Sequence, residues 1–457
     1  MNGVEQVNLT EIIQSSDRLF IGSDIPADYL SDNQPQAHHL HALAYPVNRE
    51  EVVALMHYAK EKQLVVIPSG ANSGLAHATQ AHEGELLVDF SRMNRILDFD
   101  LDTLTLSVEP GITIGEVQKY VQKRGFFYPP DPASKHSTIG GNVSTNAGGM
   151  RAVKYGTTRD YVRRMEVVLI SGEVLELGSI AIKNSSGYNL KQLFIGSEGT
   201  LGLTTRIDLK VIPLPMINQS VIAAFPSLTA ACEAVISIMR AGLDITACEF
   251  FERDAISLSE NMLETPFPSQ AGQAYLLMTF DGSATEAITS EITRLQEVIE
   301  HHQPNEILLL DEHDTQTAWK LRDSILTAVV ELSENEPLDL SVPTNKIATL
   351  FAYTKEVEAK SGLRFVSFGH AGDGNIHSCI LRGELSDAEW AEKRHHILTE
   401  LYQYVHDIGG LPSAEHGIGL TKKPYFDQVF DSNYRHYLRQ IKLTFDPENR
   451  LNPGKLV

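Results

Sequence analysis

Glycine crowds one stretch of this chain. Of 32 glycines in 457 residues, 11 fall within residues 131–202. Glycine at that density inside apolar sequence marks backbone in tight turns or pressed against another surface. A turn-rich β domain and a ligand-binding domain both satisfy the density alone. The block Thr138-Ile139-Gly140-Gly141-Asn142-Val143-Ser144-Thr145-Asn146-Ala147-Gly148-Gly149 narrows the choice. Its two Gly-Gly pairs let backbone lie flat on a planar ligand, and Asn142, Thr145 and Asn146 offer neutral hydrogen bonds. Such length with so little charge favours a large, mostly neutral, partly aromatic cofactor. A second glycine run follows at Gly196-Ser197-Glu198-Gly199-Thr200-Leu201-Gly202.

Residues 37–130 read as alternating helix and strand. Glu50 to Lys62 has helical spacing, and Leu64 to Pro68, Leu86 to Phe90 and Thr103 to Val108 are short strands. Residues 161–177 read as a β-hairpin turning at Ser171-Gly172. The two prolines of Pro213-Leu214-Pro215 mark the best boundary in the chain. Beyond it, helices at 227–241, 286–300, 388–407 and 434–445 alternate with strands at 275–280 and 307–310. That alternation predicts an α+β domain with helices on one side of a sheet.

Two more segments carry chemistry. Ser69-Gly70-Ala71-Asn72-Ser73-Gly74-Leu75 directly follows a buried strand, so its backbone N–H groups are free to meet phosphate oxygens. It is neither a P-loop nor a Gly-x-Gly-x-x-Gly fingerprint, and most loops of this kind are only turns. His370-Ala371-Gly372-Asp373-Gly374-Asn375-Ile376-His377 places two imidazoles seven residues apart around two glycines. A strand–turn–strand hairpin brings both to one point. With Glu415 of Glu415-His416-Gly417-Ile418-Gly419 they make a donor set suited to zinc or a similar divalent metal. With 17 histidines in the chain, chance pairs are common, and the glycines flanking both segments are what favour the metal.

Composition removes whole classes. A net charge of -21 is the wrong sign for a general nucleic-acid binder and repels an anionic membrane surface. No apolar run approaches the roughly 20 residues of a spanning helix, and the first residues do not read as a secretory signal. The expected setting is cytoplasmic, or peripheral at a membrane through a partner. Cys232, Cys248 and Cys379 are too few and too scattered for an iron–sulfur cluster or a disulfide framework.

With these segments assembled, the sequence resembles flavoproteins of the vanillyl-alcohol oxidase / p-cresol methylhydroxylase type. Within them it is similar to the FAD-linked D-2-hydroxy acid dehydrogenases: D-lactate dehydrogenases, the flavin subunit of glycolate oxidase, and D-2-hydroxyglutarate dehydrogenases. The likeness runs from about Asp32 to Val457. It is carried by residues 131–156, 183–188, 196–202, 370–377, 415–419 and 445–455. The resemblance implies an N-terminal segment (1–36), a two-subdomain FAD-binding domain (37–215), an antiparallel-sheet cap domain (216–430) and a C-terminal segment returning to the FAD domain (431–457). It implies that Ser69, Gly70, Ala71, Asn72, Ser73, Gly74 and Leu75 wrap the FAD pyrophosphate. Ser134, Thr138, Gly141, Asn142, Thr145 and Gly149 would line the flavin, with Asn452 at its edge. Glu198, Gly199 and Ile207 would help hold the adenine side. His370, His377 and Glu415 would hold a divalent metal such as zinc. His416 would be the base, and Arg322 would grip the substrate carboxylate. The partners implied are a small 2-hydroxy acid and an external electron acceptor (quinone, cytochrome or electron-transferring flavoprotein). A homodimer or an iron–sulfur partner subunit is left open.

Departures from the family pattern refine the expectation. Ser69 and Asn72 stand where many relatives carry Arg and Thr. No residue of the 69–75 loop is the histidine that anchors flavin covalently in some relatives, so FAD is expected to be non-covalent. Cys379, Pro337 and Leu326 stand where D-2-hydroxyglutarate dehydrogenases tend to carry polar side chains able to meet a second carboxylate. The expected substrate is therefore a monocarboxylate such as D-lactate or glycolate. D-2-hydroxyglutarate, and a flavin subunit active only within a complex, are the alternatives. A metal-dependent hydrolase leaves the glycine block unexplained. The non-redox alkyl-dihydroxyacetone-phosphate synthases tend to carry a histidine-rich triplet where this chain has Glu415-His416.

Overall fold

The computed structural model describes residues 8–26, 29 and 40–457. The rest of the expected N-terminal segment, including Asp32, lies outside the described residues. The chain divides into two compact units. The first comprises residues up to Ala147, Thr157–Leu214 and Glu415–Val457, and the second comprises Gly148–Gly156 and Pro215–Ala414. The change at 214/215 falls within the proline pair. The chain rejoins the first unit at Glu415 rather than near residue 431. Gly148–Gly156 belongs with the second unit because its side chains are tied there. Tyr155 Oη donates to Asp281 at 2.9 Å, and Lys154 Nζ pairs with Asp244 at 2.8 Å.

The first unit holds two main sheets. In one, Ala42–Ala44, Leu86–Asp89 and Val66–Ser69 lie parallel, with Leu19–Phe20 antiparallel at the edge. The helix Arg49–Lys62 covers one face and buries Val52, Leu55, Met56 and Ala59. The side chain of Asn48 caps its start, accepting from the Glu51 amide at 2.8 Å. At its other end, the Arg450 guanidinium donates to the carbonyls of Ala59 and Lys60, where a cation suits the helix dipole. The C-terminal tail also bridges the sheet edge, since Val66 pairs with Leu451. The second sheet is antiparallel, in the order Ile96–Asp100, Thr105–Val108, Leu203–Lys210, Val162–Val168, Val174–Gly178. Its last two strands are the expected hairpin.

The second unit is built on one antiparallel sheet of seven strands. Their order is Glu306–Leu309, Ile217–Phe225, Ala274–Gly282, Ala247–Glu252, Phe365–His370, Asn375–Leu381, Asn335–Ser341. The expected one-sided helix layer is corrected here: helices cover both faces. Alternation along Ala247–Glu252 shows why. Phe251 packs with Phe267 and Tyr275 under the helices Arg253–Leu263, Glu312–Asp323 and Ile325–Leu332. Its neighbour Phe250 points the other way and meets Phe351 of the helix Ile347–Ser361, ring centroids 5.0 Å apart. A sheet buried on both faces reads as continuous apolar sequence, and that hides the second layer from periodicity.

Candidate active site

In the first unit, loops at the ends of the strands enclose a cleft of about 940 Å³, counted out to its open mouth. Residues 69–74 form one wall, while Leu75 does not line it and is exposed. Asn72 sits in the left-handed region at φ 52°, and its side chain accepts from the Thr79 hydroxyl. Another wall is the short helix Ile139–Thr145, so the first part of the glycine block is helical. Thr138 caps this helix by accepting from the Gly141 amide at 3.2 Å. Thr138, Gly141, Asn142, Thr145, Glu198, Gly199 and Asn452 all line the cleft, and so does His416.

Besides Leu75, three expected residues stand elsewhere. The Ser134 carbonyl accepts from Ser137 Oγ. Ile207 is fully buried within its strand, opposite Val108 and Met165. Gly149 falls in the segment belonging to the second unit. The cleft also recruits Ala76, Ala78, Thr79, Ser137, Ser144 and Thr204, which continue the loops already singled out. Several of its glycines are there for packing. A Cβ on Gly70 would lie 2.3 Å from Thr138 Oγ1, one on Gly140 2.6 Å from Pro110, and one on Gly199 2.5 Å from Pro68. The lining suits a large, hydrogen-bonding ligand. Asn142 Nδ2 and Asn452 Oδ1 are buried polar atoms with no hydrogen-bond partner among the described residues.

In the second unit, His370 and His377 lie on the predicted hairpin, Phe365–His370 and Asn375–Leu381. Their Nε2 atoms are 3.5 Å apart. Two nitrogens on one tetrahedral metal at about 2.0–2.1 Å are separated by roughly 3.4 Å, so the imidazoles fit such an ion. Glu249, opposite His370 on the next strand, meets His370 Nδ1 at 2.7 Å. That contact turns His370 Nε2 toward His377. Arg322, buried on the helix Glu312–Asp323, is ion-paired to the same glutamate. Burial works against the Glu249 charge, but Arg322 first, then His370 and His377, hold its carboxyl below the usual range. Asp339 lies opposite His377. It accepts from Asn375 at 2.9 Å, from Ser413 at 2.8 Å and from the Ala414 amide at 3.1 Å. Glu415 is the next residue in the chain.

Sequence reading missed Glu249 and Asp339. The available signal was a carboxylate inside an apolar strand, in Cys248-Glu249-Phe250-Phe251 and Leu338-Asp339-Leu340. Cys379 is buried among core side chains, and Leu326 packs against the same core. Pro337 stands opposite Cys379.

Comparison with known proteins places these features. Residues 214–456 match the family model described as "FAD linked oxidases, C-terminal domain", and residues 40–178 match "FAD binding domain". A D-lactate dehydrogenase of Anaerostipes hadrus is 36% identical over 452 residues, covering 96% of this chain and 94% of that protein. Glycolate oxidase subunit GlcD of Bacillus subtilis is 32% identical over 432 residues, 94% of this chain and 91% of that protein. The structure of p-cresol methylhydroxylase with substrate bound superposes with a TM-score of 0.80 at 17% identity, covering 96% of this chain and 93% of that one, a likeness of fold.

Proposed function

The chain belongs to the FAD-linked oxidases, an oxidoreductase family with an FAD-binding domain, and on that premise we propose that it oxidises a small D-2-hydroxy acid, of the D-lactate or glycolate type, to the 2-keto acid. The observation that carries this reading is the cleft of the first unit, which His416 shares with the glycine-rich loops.

Residues 69–74, Thr138, Gly141, Asn142, Thr145, Gly199 and Asn452 would hold FAD without a covalent bond, the unpaired Asn142 and Asn452 atoms giving it polar partners. Bound FAD supplies the acceptor for the hydride that leaves the substrate Cα. His370, His377 and Glu415 would hold a divalent metal, which lowers the hydroxyl pKa of a 2-hydroxy acid. His416 takes the hydroxyl proton, a task suited to imidazole near neutral pH. Arg322 binds the substrate carboxylate, because its fork of donors matches two oxygens. In a chain of charge -21, Arg322 together with the metal would offset the repulsion of an anionic substrate. Glu249 keeps Arg322 and His370 in place. The three cysteines are buried and free, so reducing equivalents leave the flavin for an acceptor outside the chain. Among the described residues no helix is long and apolar enough to cross a membrane.

The apolar surroundings of Cys379, Pro337 and Leu326 favour a monocarboxylate. Anaerobic titration of the flavin absorbance near 450 nm with D- and L-2-hydroxy acids tests the reading. Bleaching by D-lactate or glycolate is expected, with kcat/KM for D-lactate above that for D-2-hydroxyglutarate. The reverse order would refute the substrate assignment. A colourless protein yielding no FAD on denaturation would refute the flavin.

A further inference from the structure

Glu198 is the single charge in the run Gly196 to Gly202, and it is buried. The resemblance assigns it to the adenine side of the cofactor, but both of its carboxylate oxygens are already engaged. Oε1 accepts the Ile418 amide at 2.7 Å and Oε2 accepts the Gly419 amide at 2.8 Å. These amides lie two and three residues after His416. Glycine makes the approach feasible on both sides. Gly417 has φ 82°, and a Cβ there would lie 2.9 Å from Glu198 Oε1. Gly419 has φ 50°, and a Cβ there would lie 1.8 Å from the Ala76 carbonyl oxygen, which itself accepts the Leu420 amide. The segment that carries His416 is therefore held between a carboxylate and a carbonyl.

The backbone of Glu198 belongs to the cleft. It stands in the left-handed region at φ 53°, its N–H donates to Ser144 at 2.7 Å, and its carbonyl accepts Asn452 Nδ2 at 2.7 Å. Ser144 and Asn452 both line the cleft. One residue thus joins the cofactor wall, through its backbone, to the His416 loop, through its side chain. An unfavourable backbone conformation at a buried charge persists only where its surroundings over-determine it.

We infer that Glu198 is a positioning residue, which fixes where His416 stands over the cleft. The inference rests on the reading of His416 as the base. Glu198→Gln keeps the shape but offers one acceptor oxygen for two amides and turns an NH2 group toward the other. Flavin reduction by D-lactate in the FAD-loaded protein is expected to slow by roughly 10- to 100-fold, the scale on which a slightly misplaced catalytic group is felt. KM should stay within about 3-fold and FAD content should be unchanged. Gly417→Ala, which presses on the same carboxylate, should reproduce the effect. In a cycle with His416→Ala, the double variant should be no slower than His416→Ala alone. Additive losses would overturn the inference, and so would FAD loss with an unchanged reduction rate, which would return Glu198 to the adenine.

Hydrogen exchange of residues 415–420 gives a second measurement that does not depend on turnover. It should speed up in Glu198→Gln, and unchanged exchange would overturn the positioning role. If His416→Ala reduced flavin at the normal rate while exchange still rose in Glu198→Gln, the base assignment would fall and the hold on the loop would stand. Glu198→Asp, which keeps the charge but shortens the reach, gives an independent variant should the glutamine form fold poorly. It should show the same increase in exchange.

Discussion

Each unit buries one glutamate at its chemical centre, and the two behave oppositely. Glu198 in the first unit is 4% exposed and Glu249 in the second 0%. Burial raises the Glu198 carboxyl above its usual range, because the two amides of Ile418 and Gly419, with Lys422 and Lys455 beyond them, only partly offset the loss of water. Glu249 meets the same penalty, yet Arg322, His370 and His377 reverse it. Burial alone therefore does not set the acidity of a carboxyl; the charge of its donors does. The contrast separates two ways of organising a site. The first unit uses an acid to shape backbone, and the second uses one to fix cationic and metal-binding side chains.

Removing the cation from the second unit should have the largest effect. Arg322→Met leaves Glu249 buried without its main partner and should cost about 3–5 kcal/mol in a denaturant titration. Arg322→Met/Glu249→Leu should recover most of that loss, while kcat/KM for D-lactate stays low in both. A stable single variant would show that Arg322 is not what holds the Glu249 charge.

A second test distinguishes the two acids directly. Glu249→Gln weakens the orientation of His370 and should lower metal retention by roughly 10- to 100-fold, read as bound metal after competition with a chelator. Glu198→Gln, which loosens the segment that carries Glu415 but leaves the two imidazoles in place, should lower metal retention by a clearly smaller factor. Equal losses in the two variants would erase the distinction.

The smallest effect is a pair of opposite pH slopes in the metal-free protein. The Glu249 carboxyl is lowered, so its stabilisation is present above the unfolded value of 4.5 and is lost as pH falls through its folded value. The Glu198 carboxyl is raised, so its contribution is fullest below 4.5 and declines as pH rises through its folded value. Unfolding midpoints of wild type against Glu249→Gln should diverge as pH rises toward 4.5. Those of wild type against Glu198→Gln should shift in favour of the variant above 4.5. Parallel pH profiles in the two pairs would contradict the opposite signs.

What could be read from residue order follows from how local each signal is. The hairpin joining His370 to His377 was legible because seven residues and two glycines contain the whole device. The loop 69–74 was legible because it directly follows a buried strand. The helical form of the glycine block was not, because Gly140 and Gly141 disfavour a helix and only its cap and packing stabilise one. The second helix layer was not legible either, because a strand buried on both faces loses its alternation.

By itself, the sequence determined which chemical groups are present and which local turns they can make: glycine-rich loops, a histidine hairpin, a lone acid in a neutral run. Their partners were decided by the tertiary structure. Glu249 meets His370 across 121 residues, and Glu198 meets Ile418 across 220. A buried carboxylate must be matched by donors, and nothing in the local sequence says whether these will be amides or cations. Only the folded chain brings the donor set to the acid, and so only it decides which glutamate holds a loop and which holds a charge.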